Sequence, residues 1–324
     1  MLPAEFPEMV KKDLMGWHFE EYPTLPDFVP QICDVRQMPD DADYYSDTVV
    51  AGLGDPEQMP IDQQVRTDKI AEAYTWYSAV RPYKLGLTYG ESFLKKSARK
   101  MGIKLENDGR RLAQSFMKKR NKMLADVFNR GAFIAGIPDI FNADADGQVD
   151  PQRGFIYDGK PLFGRSTQAH PLKLKPAATY SNLLASTALD YAGIGTMELL
   201  MTDTNAFDER QEKIVITPDV IVVPSALKNK AKQLLGSEAE TAKGIGDINV
   251  FKGEYTPIVF PYLTTANAWF MGVRNKGIVW WEQGTLDIKV YELPNRSWLV
   301  DAAMYWGVSV SDWRMWTASY LATS

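Results

Sequence analysis

The chain has 324 residues, 45% of them hydrophobic, a net charge of −5 and one cysteine. This is enough apolar content for one elaborate domain or two ordinary ones and excludes a disordered chain, while the lone Cys33 excludes an intrachain disulfide framework or a cysteine-rich metal site. No apolar run approaches the roughly 18 to 20 residues that span a bilayer, and the opening MLPAEFPEMVKKDLMGWHF lacks a signal peptide's apolar core, so a soluble, intracellular protein is expected.

Charge is unevenly distributed along the chain. Residues 1–80 hold sixteen Asp and Glu against five Lys and Arg, and residues 95–122 hold eleven Lys and Arg against two acids. Opposed blocks of this kind pair within a chain or between copies, or the basic block is simply a solvated helix face.

Residues 1–42 contain six prolines and little periodicity, which predicts an arm lying on another surface, anchored by Tyr22, Phe28, Val29 and Ile32. Tyr44–Leu53 and Gln64–Ala79 have strand-like composition and flank the turn-rich GLGDPEQMP, so a long two-stranded excursion is expected. Few apolar residues lie on either face, and such a hairpin has to rest against something else. A short helical segment over Tyr89–Met101 leads into the longest amphipathic stretch, Asn107 to Gly131. Its apolar residues Leu112, Ala113, Phe116, Met117, Met123, Leu124, Val127 and Phe128 share one face, with Arg110, Arg111, Lys118, Lys119 and Lys122 mostly on the other. Asn107 or Asp108 can cap its start and Gly131 can stop it.

After an irregular stretch to about Pro171, Asn182 to Asn205 reads as a helix and Ile214–Ile216 and Val220–Val223 as short strands. A further helix opens at Pro224 or Ser225 and runs to Gly236. The last third is dense in tryptophan and β-branched residues, with strands expected at Ile248–Phe251, Thr256–Phe260, Ala268–Val273, Gly277–Trp281, Leu286–Glu292, Trp298–Trp306 and Val308–Tyr320. The spacing of turns argues antiparallel sheet, and the fold class is α+β without doubly wound alternation.

Chemistry-bearing patterns are sparse. Only His18 and His170 are available as imidazoles, and His170 reads as a structural hydrogen-bonder. Ser97 and Lys100 match S-x-x-K without its companion motifs. Gly193 and Gly195, like Gly244 and Gly246, lack the third glycine and preceding strand of a dinucleotide site. Asn142, Asp144, Asp146, Gly147 and Asp150 occupy positions 1, 3, 5, 6 and 9 of a calcium loop, but Arg153 stands where the bidentate glutamate belongs, and a solvated acidic turn competes with the cation reading. The basic block has no aromatic interleaving, so contact with nucleic acid would be through phosphates. No catalysis and no cofactor are expected.

Several stretches, taken in order, resemble a known family. Asp158-Gly159-Lys160-Pro161-Leu162-Phe163, then His170-Pro171 and Ser181-Asn182, look like the signature of phage Mu-like major head subunits. Pro218 to Leu227 followed by Ala231 and Leu234-Leu235, then Trp269-Phe270, Trp306-Gly307-Val308 and Asp312-Trp313-Arg314, are similar to the same family, which has the Hong Kong 97 capsid fold. The resemblance covers roughly residues 85 to 320. It implies an N-terminal arm (1–42), an extended loop (43–82), a peripheral domain (83–178) holding the spine helix, an axial α/β domain (179–283), peripheral strands (284–308) and a C-terminal segment (309–324). It further implies homo-hexamers and homo-pentamers in an icosahedral virion shell assembled in the host cytoplasm around double-stranded DNA. Portal, scaffold and decoration proteins would be partners, and no membrane would be involved. Arg110, Arg111, Lys118, Lys119 and Lys122 become interface or DNA-facing candidates. An encapsulin-like compartment shell and a carboxylate-based intracellular enzyme are the alternatives.

Overall fold

The computed structural model describes residues 6–42, 44–52, 70–94, 96–134, 140–141, 154–237, 248–295 and 297–321. Its longest element is a helix, α4 (Ala98–Arg130), of 33 residues, on the order of 50 Å long. It begins well before the expected Asn107 because Met101 and Leu105 carry the buried stripe a further two turns back. Asn107 and Asp108 are therefore interior and do not cap. Asn107 Nδ2 donates to the Ile103 carbonyl at 2.9 Å, and Asp108 accepts from the Tyr89 hydroxyl at 3.0 Å and Lys104 Nζ at 2.8 Å. Gly131 does end the helix, but in a right-handed conformation (φ −63°). Its function is close approach: a Cβ there would lie 2.4 Å from the Val127 carbonyl oxygen and 2.8 Å from the Phe163 ring.

Before the spine come α1 (Phe6–Glu21), α2 (Val29–Ile32), strands β1 (Asp34–Gln37), β2 (Tyr44–Val50), β3 (Glu72–Ala79) and β4 (Arg81–Tyr89), and the short α3 (Glu91–Leu94). After it come β5 (His170–Pro171), β6 (Thr179–Tyr180), β7 (Leu183–Leu184), α5 (Tyr191–Leu199), β8 (Val220–Val223), α6 (Lys228–Gly236), β9 (Thr256–Val259), β10 (Trp269–Gly272), β11 (Ile278–Glu292), β12 (Trp298–Val310) and β13 (Trp316–Ser319).

Two main sheets result. The first has the order β1-β11-β12-β4, antiparallel except for the parallel β1–β11 edge. The second has the order β7-β13-β10-β8-β9, with parallel pairs at both edges. The expected all-antiparallel arrangement is thus replaced by a mixed one. The runs at Gly277–Trp281 and Leu286–Glu292 are one strand, β11, interrupted between Gln283 and Asp287, where Gly284 takes a positive φ of 61°. The run Val308–Tyr320 is two pieces: β12 finishes in the first sheet, and after a single 3₁₀ turn at Trp313–Met315 the chain enters the second as β13.

Other expectations fail for identifiable reasons. The proline-rich start holds a sixteen-residue helix, α1, whose buried Val10 and Leu14 face the spine. Asn182 to Leu189 is not helical, since Leu183 and Leu184 pair with β13, and α5 starts only where Asp190 accepts from the Gly193 N–H at 2.7 Å. Ile214–Ile216 and Ile248–Phe251 form no named strand. Val215 is 94% exposed, so β-branching alone did not make a strand without a neighbour to pair with. β2 and β3 pair as expected, and the base of their hairpin has a core, where Tyr45 and Trp76 pack on Trp281 with Tyr45–Trp281 centroids 4.5 Å apart. Its tip, 53–69, lies outside the described residues.

Candidate functional site

Four of the stretches that carried the family resemblance, those holding Asp158, His170, Asn182 and Arg314, meet at a buried polar junction between the two sheets. Asp158 Oδ2 lies 2.6 Å from His170 Nδ1, both side chains fully buried, and the imidazole stacks on Trp313 at 4.3 Å. Asn182 uses both ends of its amide: Oδ1 accepts from the Gly164 N–H at 2.7 Å, and Nδ2 donates to the carbonyls of Leu162 at 2.8 Å and Trp316 at 2.9 Å. One side chain thereby holds three distant segments in register. Arg314 Nη2 is 2.7 Å from Glu209 Oε1 and its Nη1 is 3.1 Å from Asp312 Oδ1, while Glu209 Oε2 accepts the Lys173 N–H at 2.7 Å. Burial opposes the Arg314 charge, yet Asp312, Tyr157 and Glu209 offset it and raise its pKa above the ordinary value. Tyr157 is pushed well up, first by burial and then by Asp312. β3 reaches this junction through Tyr74, whose hydroxyl donates to the Pro171 carbonyl at 3.3 Å and whose ring is 5.4 Å from Tyr157.

The second constellation lies along α4. Its cations divide into two groups. Arg120 is 5% exposed and joins Asp27, at 3.0 Å, to Glu282, with its guanidinium 5.1 Å from the Trp280 ring. Beside it Asn121 accepts from the Phe28 N–H at 3.1 Å and donates to the Pro26 carbonyl at 2.9 Å. The arm is therefore clamped on its own chain, with Val29 and Ile32 fully buried. Arg110 pairs with Glu21 at 2.8 Å and Glu106 at 3.4 Å and lies over Trp17. It belongs to the arm contact within the subunit. Just before it, Gly109 lets α1 approach, for a Cβ would be 2.8 Å from that of Trp17. In contrast Arg111, Lys118, Lys119 and Lys122 are exposed and make no ion pair among the described residues. Lys119 stands 5.1 Å over the Tyr83 ring.

The buried charges Arg120 and Glu209 are the residues that sequence reasoning missed, and the charge pairing of Arg314 was not read from its motif. Arg314 carried a signal, an arginine inside an apolar, tryptophan-rich run, which demands a buried counter-charge.

His18 closes the arm contact. It is 1% exposed, stacks on Tyr22 at 5.0 Å and meets Phe116 edge-on at 6.2 Å, with neither nitrogen hydrogen-bonded among the described residues. Burial lowers its pKa to about 4. Above pH 6.5 the imidazole is neutral in both folded and unfolded chains. As pH falls from 6.5 towards 4 only the unfolded chain takes the proton, so stability should drop by up to about 3 kcal/mol and level off below. Urea unfolding of wild type and His18→Phe between pH 7 and 4 checks this: the variant should lack that part of the slope, and parallel pH profiles would refute the assignment.

Among the described residues the remaining motifs contribute no site. Ser97 is the residue before α4, with Lys100 exposed in its first turn. Gly193 and Gly195 lie within α5 and follow no strand directly, and Gly244 and Gly246 lie outside the described residues, as do Asn142, Asp144, Asp146 and Asp150 of the calcium-like loop. Among the described residues no group of three or more His, Cys, Asp or Glu could hold a metal ion. Cys33 is fully buried and burial raises its thiol pKa, so it is a packed hydrophobe. No described helix is long and apolar enough to cross a membrane.

This arrangement of spine, projecting hairpin and two sheets is that of capsid subunits with the Hong Kong 97 fold. It is similar to the capsid of the native GTA particle (TM-score 0.52, 16% identity, covering 90% of this chain and 88% of that one). It is similar also to the mature capsid of bacteriophage PhiM1 (TM-score 0.53, 12% identity, 92% and 88%) and the capsid of Ralstonia phage GP4 (TM-score 0.52, 12% identity, 88% and 86%). A family model described as phage capsid protein matches residues 104–319, about two thirds of the chain, and the chain belongs to that family. No curated protein matches it.

Proposed function

We propose that the chain is the major head subunit of a tailed phage, assembling as hexamers and pentamers into an icosahedral shell around double-stranded DNA. Its role is architectural and requires no catalytic step. Within the family the reading takes it as a phage Mu-like head subunit, supported by the resemblance of its motifs. Residues 83–178 and 284–308, with the spine and much of the first sheet, act as peripheral domain, residues 179–283 as axial domain, 43–82 as the extended loop, 1–42 as the arm and 309–324 as the C-terminal segment. Portal, scaffold and decoration proteins complete the virion, built in the host cytoplasm. The observation that carries this reading is the β2–β3 hairpin, packed at its base and leaving Tyr44 and Tyr77 more than half exposed; an isolated two-stranded ribbon needs an outside surface. The unpaired Arg111, Lys118, Lys119 and Lys122 offer such an outside contact to acidic segments of a neighbour or to DNA phosphates.

Electron microscopy of the purified full-length protein should show closed shells; a protein that stays monomeric under all assembly conditions would defeat the reading. Deleting Leu53–Pro60 should leave a folded subunit with wild-type far-UV circular dichroism but no shells. Normal shells from that deletion would show the hairpin tip to be dispensable.

A further inference from the structure

The arm, the spine and the loop after β9 do not close against one another completely. Between them lies an open cleft of about 270 Å³, walled by Leu25, Pro26 and Phe28 of the arm, Met117 of the spine, and Pro261 and Tyr262. This is at the small end of ligand-binding clefts, which start near about 300 Å³, so it has room for a short apolar anchor and not for a folded element. Two polar residues on its wall are already engaged: Asn121 holds the arm backbone, and Gln114 Nε2 donates to Glu21 at 3.3 Å. Lys118, also on the wall, is exposed and makes no ion pair among the described residues.

Lys118 is not isolated. Lys122 lies one helical turn further on and Arg111 two turns back, on the same stripe of α4, both exposed and without a carboxylate among the described residues. The ion pairs that the spine makes among the described residues lie inside the subunit: Lys104 with Asp108, Arg110 with Glu21 and Glu106, Arg120 with Asp27 and Glu282, Arg130 with Asp126. Like charges one turn apart repel, and among the described residues no carboxylate relieves that repulsion at Lys118 and Lys122. An apolar cleft bordered by uncompensated cations has a definite complement.

We propose that this cleft is a docking site for a peptide segment of a protein partner, one that places one or two apolar side chains between Pro26, Met117 and Tyr262 and sets Asp or Glu residues against Lys118 and Lys122. The apolar anchor provides the desolvated contact and the carboxylates fix direction and register. Duplex DNA is the poorer complement, because phosphates would meet the lysines and leave the apolar walls open to water. The site is separate from the hairpin and does not depend on the shell reading.

The test is unbiased selection of random dodecapeptides displayed on ribosomes against the immobilised full-length chain, with a 20-base-pair duplex as competing probe. Selected peptides should share apolar residues flanked by Asp or Glu. Their binding should weaken at least tenfold in Lys118→Glu, and also in Leu25→Asp, while Lys119→Glu, altered where the side chain covers Tyr83, should leave it within twofold. Lys118 and Lys119 are both exposed, so these variants fold and the comparison stands even if Leu25→Asp does not. Selection that yields no acid-flanked apolar peptides, or yields peptides indifferent to Lys118→Glu, would overturn the proposal. So would duplex DNA that depends on Lys118 and displaces nothing from the cleft walls. Closed shells seen by microscopy together with any of those outcomes would leave the capsid reading intact and remove only the docking site.

Discussion

Truncating Phe116 to alanine should destabilise the subunit by about 3–5 kcal/mol, a large part of the stability a domain possesses. Phe116 is 3% exposed at the middle of the spine, with its ring edge-on to Trp306 of β12 at 6.0 Å and close to His18 of the arm. Trp306 in turn stacks with Tyr83 of β4 at 5.4 Å and lies 6.2 Å from Trp280 of β11. The cavity would therefore open where helix, arm and three strands of the first sheet meet, surrounded by rigid aromatic rings that collapse poorly into a void. The loss should appear as reduced soluble subunit and a lowered urea midpoint, not as misshapen shells. Wild-type thermal stability in Phe116→Ala would mean that the stripe is not a core and that the spine is an exposed contact element. Phe128, two residues before the end of the helix, behaves differently. Its neighbours are Phe270 at 4.9 Å and Trp316 at 5.3 Å, so it serves the second sheet.

The amphipathic stripe of the spine was legible because it is a property of one segment: residues three and four apart share a face wherever the helix goes. Its ends were not, because Asn107 and Asp108 look like caps locally and become interior once Tyr89 and Lys104 bind the Asp108 carboxylate. The first helix was hidden for a similar reason. Val10, Leu14 and His18 are spaced one turn apart but lie among charged residues, and the surface that buries them is more than ninety positions away. Charge counting found the acidic arm and the basic block, and part of that asymmetry is indeed internal, through Glu21 with Arg110 and Asp27 with Arg120. Counting could not separate these paired cations from Lys118 and Lys122, since pairing is set by tertiary distance. The motif residues Asp158, His170, Asn182 and Arg314 were legible by resemblance, whereas their common purpose, joining backbone segments across the two sheets, is geometric and appears only in the fold.

The junction makes the second large prediction. Arg314→Met removes the cation that faces Glu209, and both side chains of that pair are 5% exposed. The Glu209 carboxylate would keep only the Lys173 N–H, and Asp312 the Arg314 backbone N–H that it already holds at 3.0 Å. Breaking a buried pair from one side leaves an uncompensated charge, and the loss should be about 3–5 kcal/mol. If that penalty is the stranded carboxylate, Glu209→Gln in the same chain should recover part of it, with a coupling of about 1–3 kcal/mol in a double-mutant cycle read by urea unfolding. Additive losses would instead mean that Arg314 matters for packing against Trp313, whose ring lies 4.8 Å from the guanidinium. Location gives a further check. Arg314 sits in the single turn by which the chain leaves β12 and enters β13, so hydrogen exchange in the variant should rise first at β7 and β13, where Asn182 fastens the second sheet, while the β11–β12 ladder stays protected. Uniform loss of protection across both sheets would show that the two halves unfold as one unit and that the junction does not hold them separately.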